Sequence, residues 1–380
     1  MRWKTRAIAM VVIVVLMAVS FVIPVSAISD EEVAAPSAIL MEPNTGKILY
    51  EKNANELRPC ASITKVMTLL LVMEAIDSGK ISLDDQVTAS AHAASMGGSD
   101  IWLKEGETMS VNDLIKATVI MSANDAAVVL AEHVYGTEDE FVKQMNIRAK
   151  QLGMNDTTFK NCNGLDEDGH LTTAHDVALM SAELIKHEKI FDYTLTWMDY
   201  VRDGETQLVN TNKLIRSYKG ITGLKTGTTS QAGSCISATA KRDNLSLVAV
   251  VLGCSTTDER FTSASTLLDY GFANFSFASL QMPELGTVPV TNGIQGEVQA
   301  ECTVTAEVLI PKGKESAIKS EVELSEGVQA PVEQGQLLGK VKYELDGEVI
   351  AEYDITAKNS VKELDFGASF MILLRSLFHW

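Results

Sequence analysis

The sequence is short of several things, and each shortage closes off a chemistry. Its five cysteines (Cys60, Cys162, Cys235, Cys254 and Cys302) are scattered through 380 residues with no C-x-x-C among them. Neither a metal ribbon nor a small disulfide framework is expected from that spacing, and most read as buried thiols. The six histidines include no H-E-x-x-H pair; His170 and His175 lie around a capping segment instead, which disfavours a metallopeptidase. G-x-S-x-G is missing, so no serine-histidine triad on a nucleophile elbow is expected. Positive charge is scarce: 32 Lys and Arg against 50 Asp and Glu, a formal net charge of −18. That sign argues against nucleic acid, which selects basic surfaces. There is no internal repeat and no low-complexity tract, and the chemistry described below calls for no metal or cofactor.

What is present begins with a leader. Arg2, Lys4 and Arg6 precede a run from Ala7 to Val25 that is apolar except for Ser20 and Pro24, and Val25-Ser26-Ala27 offers small residues for cleavage. Residues 1–27 therefore read as a secretory signal; the alternative is an uncleaved anchor, because the run approaches the ~20 residues that span a bilayer. Either way the body of the protein is expected outside the cytoplasm. Losing the three cations takes the formal charge from −18 to −21. About 350 residues remain, more than one core usually holds, so two domains are expected.

Periodicity divides the remainder. "SAILMEPNTGKILYEKN" (37–53) reads as two strands around the turn Pro43-Asn44-Thr45-Gly46. "RPCASITKVMTLLLVMEAIDSG" (58–79) reads as one hydrophobic helix ended by Gly79. Residues 110–136 carry two helical runs, with Ser110 as N-cap and a break near Ser122-Ala123-Asn124, and 138–153 is amphipathic. A turn-rich loop follows, then a helix over 174–186 capped by Thr172 or Thr173. From about 205 strands take over, including "GLKTGTT", "SCISATAKR" and "LSLVAVVLGC", before a helix over 259–275. The expected fold of 28–280 is thus α/β (α+β), with helices packed on a mainly antiparallel sheet. Residues 281–362 read as a small all-β domain, with a hairpin turning at Asp346-Gly347. The tail 363–380 gathers Phe370, Leu373, Leu374, Leu377 and Phe378 on one helical face, with Ser369, Arg375, Ser376 and His379 on the other. It is too short to span a bilayer but suits the interface, with Trp380 at headgroup level; the alternative is a helix docked on the protein's own surface.

Three small motifs carry the chemistry. Ser62 and Lys65 sit one turn apart at the start of the hydrophobic helix, so Lys65 can reach the Ser62 hydroxyl. An ammonium among Val66, Met67, Leu69 and Leu70 loses solvation, which lowers its pKa and frees a lone pair for general-base work. A serine hydroxyl needs such a base to become a nucleophile. An isolated S-x-x-K proves little, since Ser316–Lys319 matches too. The second motif is Ser122-Ala123-Asn124, where a hydroxyl can carry a proton to a leaving group and an amide can hold substrate and Lys65 together. Ser110-Val111-Asn112 also fits that pattern, as a helix cap. The third is Lys225-Thr226-Gly227, which occurs once. A lysine and a threonine hydroxyl there suit a terminal carboxylate, and Gly227 is expected to let a substrate backbone approach. The N–H groups of Thr228 and Ser62 are expected to form an oxyanion hole.

The order Ser-x-x-Lys, Ser-x-Asn, Lys-Thr-Gly, on helix, helix break and strand, resembles the penicillin-recognising serine enzymes. Within them the chain resembles low-molecular-weight penicillin-binding proteins, the D-alanyl-D-alanine carboxypeptidases of peptidase family S11. The resemblance runs through "ILMEPNTGKILYEKNANELRPCASITKVMT", "NGLDEDGHLTTAHDVA" and "GLKTGTT", and extends to a β stalk and an amphipathic anchor. It implies a transpeptidase-like catalytic domain in which Ser62 is the acyl-ester nucleophile, Lys65 its proton acceptor and Ser122 a proton shuttle. It implies that Asn124 orients substrate and Lys65, and that Lys225 binds the substrate carboxylate. Removal of the last D-alanine from a peptidoglycan stem peptide, inhibition by β-lactams, and attachment to the outer face of the cytoplasmic membrane are the implied function and setting. Some relatives have histidine where this chain has Thr228, which bears on pH optimum and deacylation. A class A β-lactamase is the nearest alternative, but its Glu-x-x-Leu-Asn loop has no counterpart between Asn124 and Lys225; Asp166, Glu167 and Asp168 form an ordinary acidic loop. A penicillin-sensing module without turnover is the other, though every motif position is filled.

Overall fold

The computed structural model describes residues 28–304, 307–367 and 370, so the leader and the apolar end of the tail lie outside the described residues. Among the described residues, no helix is long and apolar enough to cross a membrane. By contact the chain divides between Asn274 and Phe275, earlier than the boundary at 281 read from composition.

The first unit is built on one antiparallel sheet. β1 (Ser37–Glu42) and β2 (Lys47–Lys52) form the opening hairpin. Two small hairpins follow, β3 (Gln86–Thr88) with β4 (Thr108–Ser110), and β5 (Met198–Val201) with β6 (Thr206–Val209). Then come β7 (Ile221–Thr229), β8 (Gly233–Arg242) and β9 (Leu245–Cys254). β1, β2, β7, β8 and β9 make a five-stranded sheet in the order β2-β1-β9-β8-β7, which leaves β7 on an edge. Both faces are covered, as the alternation along β1 requires. Ile39 and Met41 enter the large core, while Leu40 meets the other side, where a Cβ on Gly271 would come within 2.9 Å of its Cδ2.

The helix on that second side spans Thr257–Asn274. The first side holds α1 (Lys65–Asp77), α2 (Ala91–Ala94), α3 (Val111–Lys116), α4 (Asn124–Tyr135), α5 (Glu138–Gln151) and α6 (Ala174–Leu184). Val66, Met67, Leu69, Leu70, Leu71, Val72 and Met73 of α1 are all buried. A helix apolar all round must be enclosed on every side, and α1 is. Truncating one such leucine to alanine costs about 2–5 kcal/mol. Gly79 ends this helix at φ 71°, as a left-handed C-terminal residue should. Ser110 caps α3 by accepting from Asp113 N at 3.1 Å, and Thr173 rather than Thr172 caps α6, accepting from Asp176 N at 3.0 Å.

The second unit, taken by itself, is all-β. Its strands are β10 (Phe275–Ser279), β11 (Thr287–Thr291), β12 (Glu297–Glu301), β13 (Glu307–Pro311), β14 (Lys319–Leu324), β15 (Val328–Gln329), β16 (Leu337–Leu345) and β17 (Glu348–Ala357). β10 pairs with β13, and the others form a six-stranded sheet in the order β14-β16-β17-β12-β11-β15. Pairing of Phe275–Ser279 with Glu307–Pro311 is what draws those residues out of the first unit. The β16–β17 hairpin turns at Asp346 (φ 54°) and Gly347 (φ 87°), as its Asp-Gly pair implies. Val288, Val298, Leu338 and Val361 fill part of the core. Ser316 and Lys319 of the decoy S-x-x-K are exposed here.

Candidate active site

The nucleophile motif does not begin inside a regular helix. Ala61–Thr64 forms a 3₁₀ turn, and α1 starts at Lys65. Ala61 sits at φ 50°, a left-handed conformation uncommon for a residue with a side chain. Two glycines make room for this turn. A Cβ on Gly164 (φ 87°) would lie 2.0 Å from Ala61 O, and one on Gly227 would lie 2.6 Å from Cys60 O and 3.0 Å from Ser62 N. The sequence reading gave Gly227 to an approaching substrate. The structure adds a second reason: the glycine lets β7 press against the protein's own nucleophile turn.

Lys65 is fully buried. Its Nζ donates to Ser62 Oγ at 3.0 Å, Asn124 Oδ1 at 2.6 Å and Asn163 O at 2.6 Å. Burial lowers its pKa to about 7 from an ordinary 10.5, the nearby Asp125 carboxylate pulling weakly the other way. Near neutrality a substantial fraction of Lys65 is therefore an amine within reach of the Ser62 proton. Asn124 is fixed from both ends, because its Nδ2 donates to Gly97 O at 2.7 Å. One Nδ2 hydrogen remains for a ligand.

Ser122 stands where π-helical residues Ala117–Met121 give way to α4, at φ 67°. Left-handed serine at a helix break is strained, and such strain concentrates at working sites. The Ser122 hydroxyl accepts from Lys225 Nζ at 2.8 Å, and the same Nζ donates to Thr226 O at 3.1 Å. Lys225 is also fully buried; burial first, then the positive charges of Lys65 and Arg260, hold its pKa well below the lysine range.

On β7, Thr226 Oγ1 is 2.7 Å from Thr211 Oγ1. Thr228 Oγ1 donates to Gly227 O at 2.8 Å and accepts from Arg260 NH1 at 2.8 Å. Because β7 is an edge strand, alternate backbone groups point off the sheet.

All eight residues singled out from the sequence thus fall in one region: Ser62, Lys65, Ser122, Asn124, Lys225, Thr226, Gly227 and Thr228. Three others were missed. Arg260 donates to Gly227 O at 3.0 Å behind the strand and is buried without a carboxylate partner among its bonds; one arginine in an amphipathic helix carries no sequence signal. Asn163 acts through its backbone carbonyl, which side-chain motifs cannot reveal. Gly164 had a signal, the Asn-Gly of the turn-rich loop, but not a target. In that loop Asp166 accepts from Thr229 Oγ1 at 2.7 Å and Glu167 from Asn161 Nδ2 at 3.1 Å, so both acids tie the loop in place. With Cys60 and Ala61 they line a cavity of about 150 Å³.

His170 is structural: its Nδ1 accepts from Lys160 N at 3.3 Å, its Nε2 meets Thr64 Oγ1 at 2.8 Å, and burial takes its pKa down to about 4. All five cysteines are free, and four are buried. Burial pushes the Cys60 thiol up to about 12, which leaves it inert beside Ser62.

A helix-and-sheet domain that gathers these three motifs defines the penicillin-recognising serine enzymes as a class. Residues 24–256 match the profile of the peptidase S11 family, D-alanyl-D-alanine carboxypeptidase, and residues 281–363 match the C-terminal domain of penicillin-binding protein 5. The chain belongs to the D-alanyl-D-alanine carboxypeptidase family S11. It is 43% identical over 352 residues to D-alanyl-D-alanine carboxypeptidase DacF of Bacillus subtilis (strain 168), covering 91% of this chain and 90% of that one. With D-alanyl-D-alanine carboxypeptidase DacC of Escherichia coli (strain K12) it shares 34% identity, over 94% of this chain and 92% of that. The structure is similar to penicillin binding protein 5 from Haemophilus influenzae, with a TM-score of 0.76 at 32% identity, covering 89% of this chain and all of the other. It is also similar to penicillin-binding protein D2 from Listeria monocytogenes in the ampicillin-bound form, with a TM-score of 0.58 at 36% identity over 63% of this chain and 98% of that one.

Proposed function

We propose that the chain removes the terminal D-alanine of peptidoglycan stem peptides through an ester on Ser62, and that β-lactams inhibit it by forming the same ester. The observation that carries this is the buried Lys65 amine 3.0 Å from Ser62 Oγ with its pKa near 7. Lys65 takes the Ser62 proton as Oγ attacks the carbonyl of the penultimate residue. Negative charge develops on that carbonyl oxygen, toward the N–H groups of Ser62 and Thr228. The peptide C–N bond then breaks, Ser122 passes a proton to the leaving nitrogen, and D-alanine departs. Water attacks the ester by the reverse proton route and frees Ser62. In a β-lactam the leaving nitrogen stays tethered, so the ester persists.

The substrate's terminal carboxylate is received beside Lys225 and Arg260. Lys225, on β7 itself, donates to the Thr226 carbonyl, and Arg260, on the helix behind the strand, donates to the Thr228 hydroxyl. Asn124 holds Lys65 and offers its spare N–H to substrate. The apolar leader and amphipathic tail support a further reading, that the enzyme is exported and works on the outer face of the cytoplasmic membrane, held there by residues 363–380.

The test is labelling with a fluorescent penicillin followed by D-alanine release from diacetyl-Lys-D-Ala-D-Ala. Labelling with release supports the carboxypeptidase. Labelling without release would make the protein a sensor, and rapid penicillin turnover without a lasting label would make it a β-lactamase.

A further inference from the structure

Trp102 is placed as few tryptophans are. Its side chain is 70% exposed while its neighbours Ile101 and Leu103 are buried, and its backbone sits at φ 55°. A glycine would adopt that conformation without penalty, whereas a bulky residue pays for it. So large an exposed ring returns little to the core in exchange. The strain is imposed deliberately by the surroundings. The buried Asp125 carboxylate accepts from Ile101 N at 3.1 Å and Leu103 N at 2.9 Å, gripping the chain on both sides of Trp102. Arg202 NH1 donates to Ile101 O at 2.9 Å, while its Nε pairs with Glu107 at 2.6 Å.

This clamp is continuous with the catalytic break. Asp125 follows Asn124 in sequence; Asn124 N donates to Ser99 O at 2.7 Å, and Ser99 Oγ donates to Met121 O at 2.7 Å. Trp102 borders an open groove of about 610 Å³ whose rim is polar and of mixed sign, with Lys104, Glu105, Glu107 and Arg202. An apolar ring face in a rim that mixes donors and acceptors of both signs, with Arg202 and Glu107 already paired, suits a ligand that is neutral, rich in hydroxyl and amide groups, and flat on one face. Among parts of the proposed substrate, the sugar rings that carry the stem peptide have that chemistry.

We infer that Trp102 is a platform for a sugar ring of the peptidoglycan glycan strand, seating the carrier while the stem peptide reaches Ser62. The inference rests on the carboxypeptidase reading for its choice of ligand. An aromatic face is worth ~0.5–1.5 kcal/mol, a factor of roughly three to ten.

The test compares one pentapeptide ending in D-Ala-D-Ala with the same pentapeptide carried on its disaccharide. In Trp102→Ala, kcat/KM for the disaccharide form falls roughly three- to tenfold, mainly through KM. Release from the free pentapeptide and acylation by penicillin stay as in wild type, and Trp102→Phe lies between. An equal loss on both peptides, or no loss on either, overturns the inference. A second measurement needs no turnover: the peptide-free disaccharide quenches tryptophan fluorescence of Ser62→Ala protein, and the added Trp102→Phe change abolishes the quenching. Quenching that survives that change also overturns it. If wild type releases D-alanine from neither substrate, the carboxypeptidase reading falls, while quenching still decides the platform.

Discussion

The state of the Lys65 proton can be tested by pH alone. An ordinary lysine at pH 7 is only ~0.03% neutral, since its pKa lies 3.5 units higher; a pKa near 7 makes the neutral share about half, a gain of more than a thousandfold in available base. The rate of acylation by a fluorescent penicillin, followed by stopped flow, should therefore fall about tenfold per pH unit below 7 and level off above it. His170 does not imitate this step, because its pKa is near 4. The same shift has a stability consequence. Between pH 7 and 10.5 the unfolded chain binds the Lys65 proton and the folded chain does not, so stability rises with pH across that window. The penalty is complete below pH 7, at about 5 kcal/mol, and vanishes above 10.5. Comparison with Lys65→Met isolates it, because other groups cancel in the difference. From pH 7 to pH 9 the wild type should gain about 2 kcal/mol on the variant in denaturant unfolding. A flat acylation rate from pH 6 to 9, or a Lys65→Met protein that still acylates, would refute the reasoning.

Three other outcomes are expected. Ser62→Ala should abolish both penicillin labelling and D-alanine release with its melting temperature nearly unchanged; turnover surviving in a clean preparation defeats the assignment. Gly227→Ala forces a Cβ to within 2.6 Å of Cys60 O, so the nucleophile turn must shift. Labelling should slow about a hundredfold, as a displacement of order 1 Å does, and an unchanged rate would show that the contact is soft. Lys225→Ala should lower kcat/KM for peptides with a free terminal carboxylate by roughly 10–100-fold, the loss of one or two charge-assisted hydrogen bonds. An equal loss on the C-terminally amidated peptide would remove Lys225 from carboxylate recognition.

Much of this was legible in the sequence because local rules and tertiary demands agree. The β1–β2 hairpin, the capped start of α3 and the β16–β17 turn each carry their own signal in a few residues. The buried lysine was readable because an ammonium followed by an almost unbroken apolar run has nowhere wet to go. The 3₁₀ turn under Ser62 was not readable, because tight contacts with Gly164 and Gly227, remote in sequence, accompany it. Nor was Arg260, which acts from the helix behind the sheet on a strand edge. The early division at Phe275 was hidden too, since composition changes at 281 but the pairing with Glu307–Pro311 begins sooner. Residue types mark where chemistry is carried by side chains; a carbonyl such as Asn163 O, or a missing Cβ, leaves no such mark.

The buried cations also explain why a terminal carboxylate should matter to the reaction and not merely to docking. Lys225 and Arg260 are enclosed with hydroxyl and carbonyl partners, and among the described residues neither hydrogen-bonds to a carboxylate. Burial, then the positive charges of Lys65 and Arg260, drive the Lys225 pKa well down. On the proposed reading, a substrate carboxylate arriving at β7 would supply a negative charge and let Lys225 hold a proton. That proton sits 2.8 Å from Ser122 Oγ, on the proposed route to the leaving nitrogen. Its charge in turn keeps Lys65, the neighbouring amine, from being protonated. On that reading one bound carboxylate keeps Lys65 a base and places a charged donor beside Ser122. An amide in its place would leave the substrate bound more weakly and Lys225 without the charge that lets it stay protonated beside Ser122.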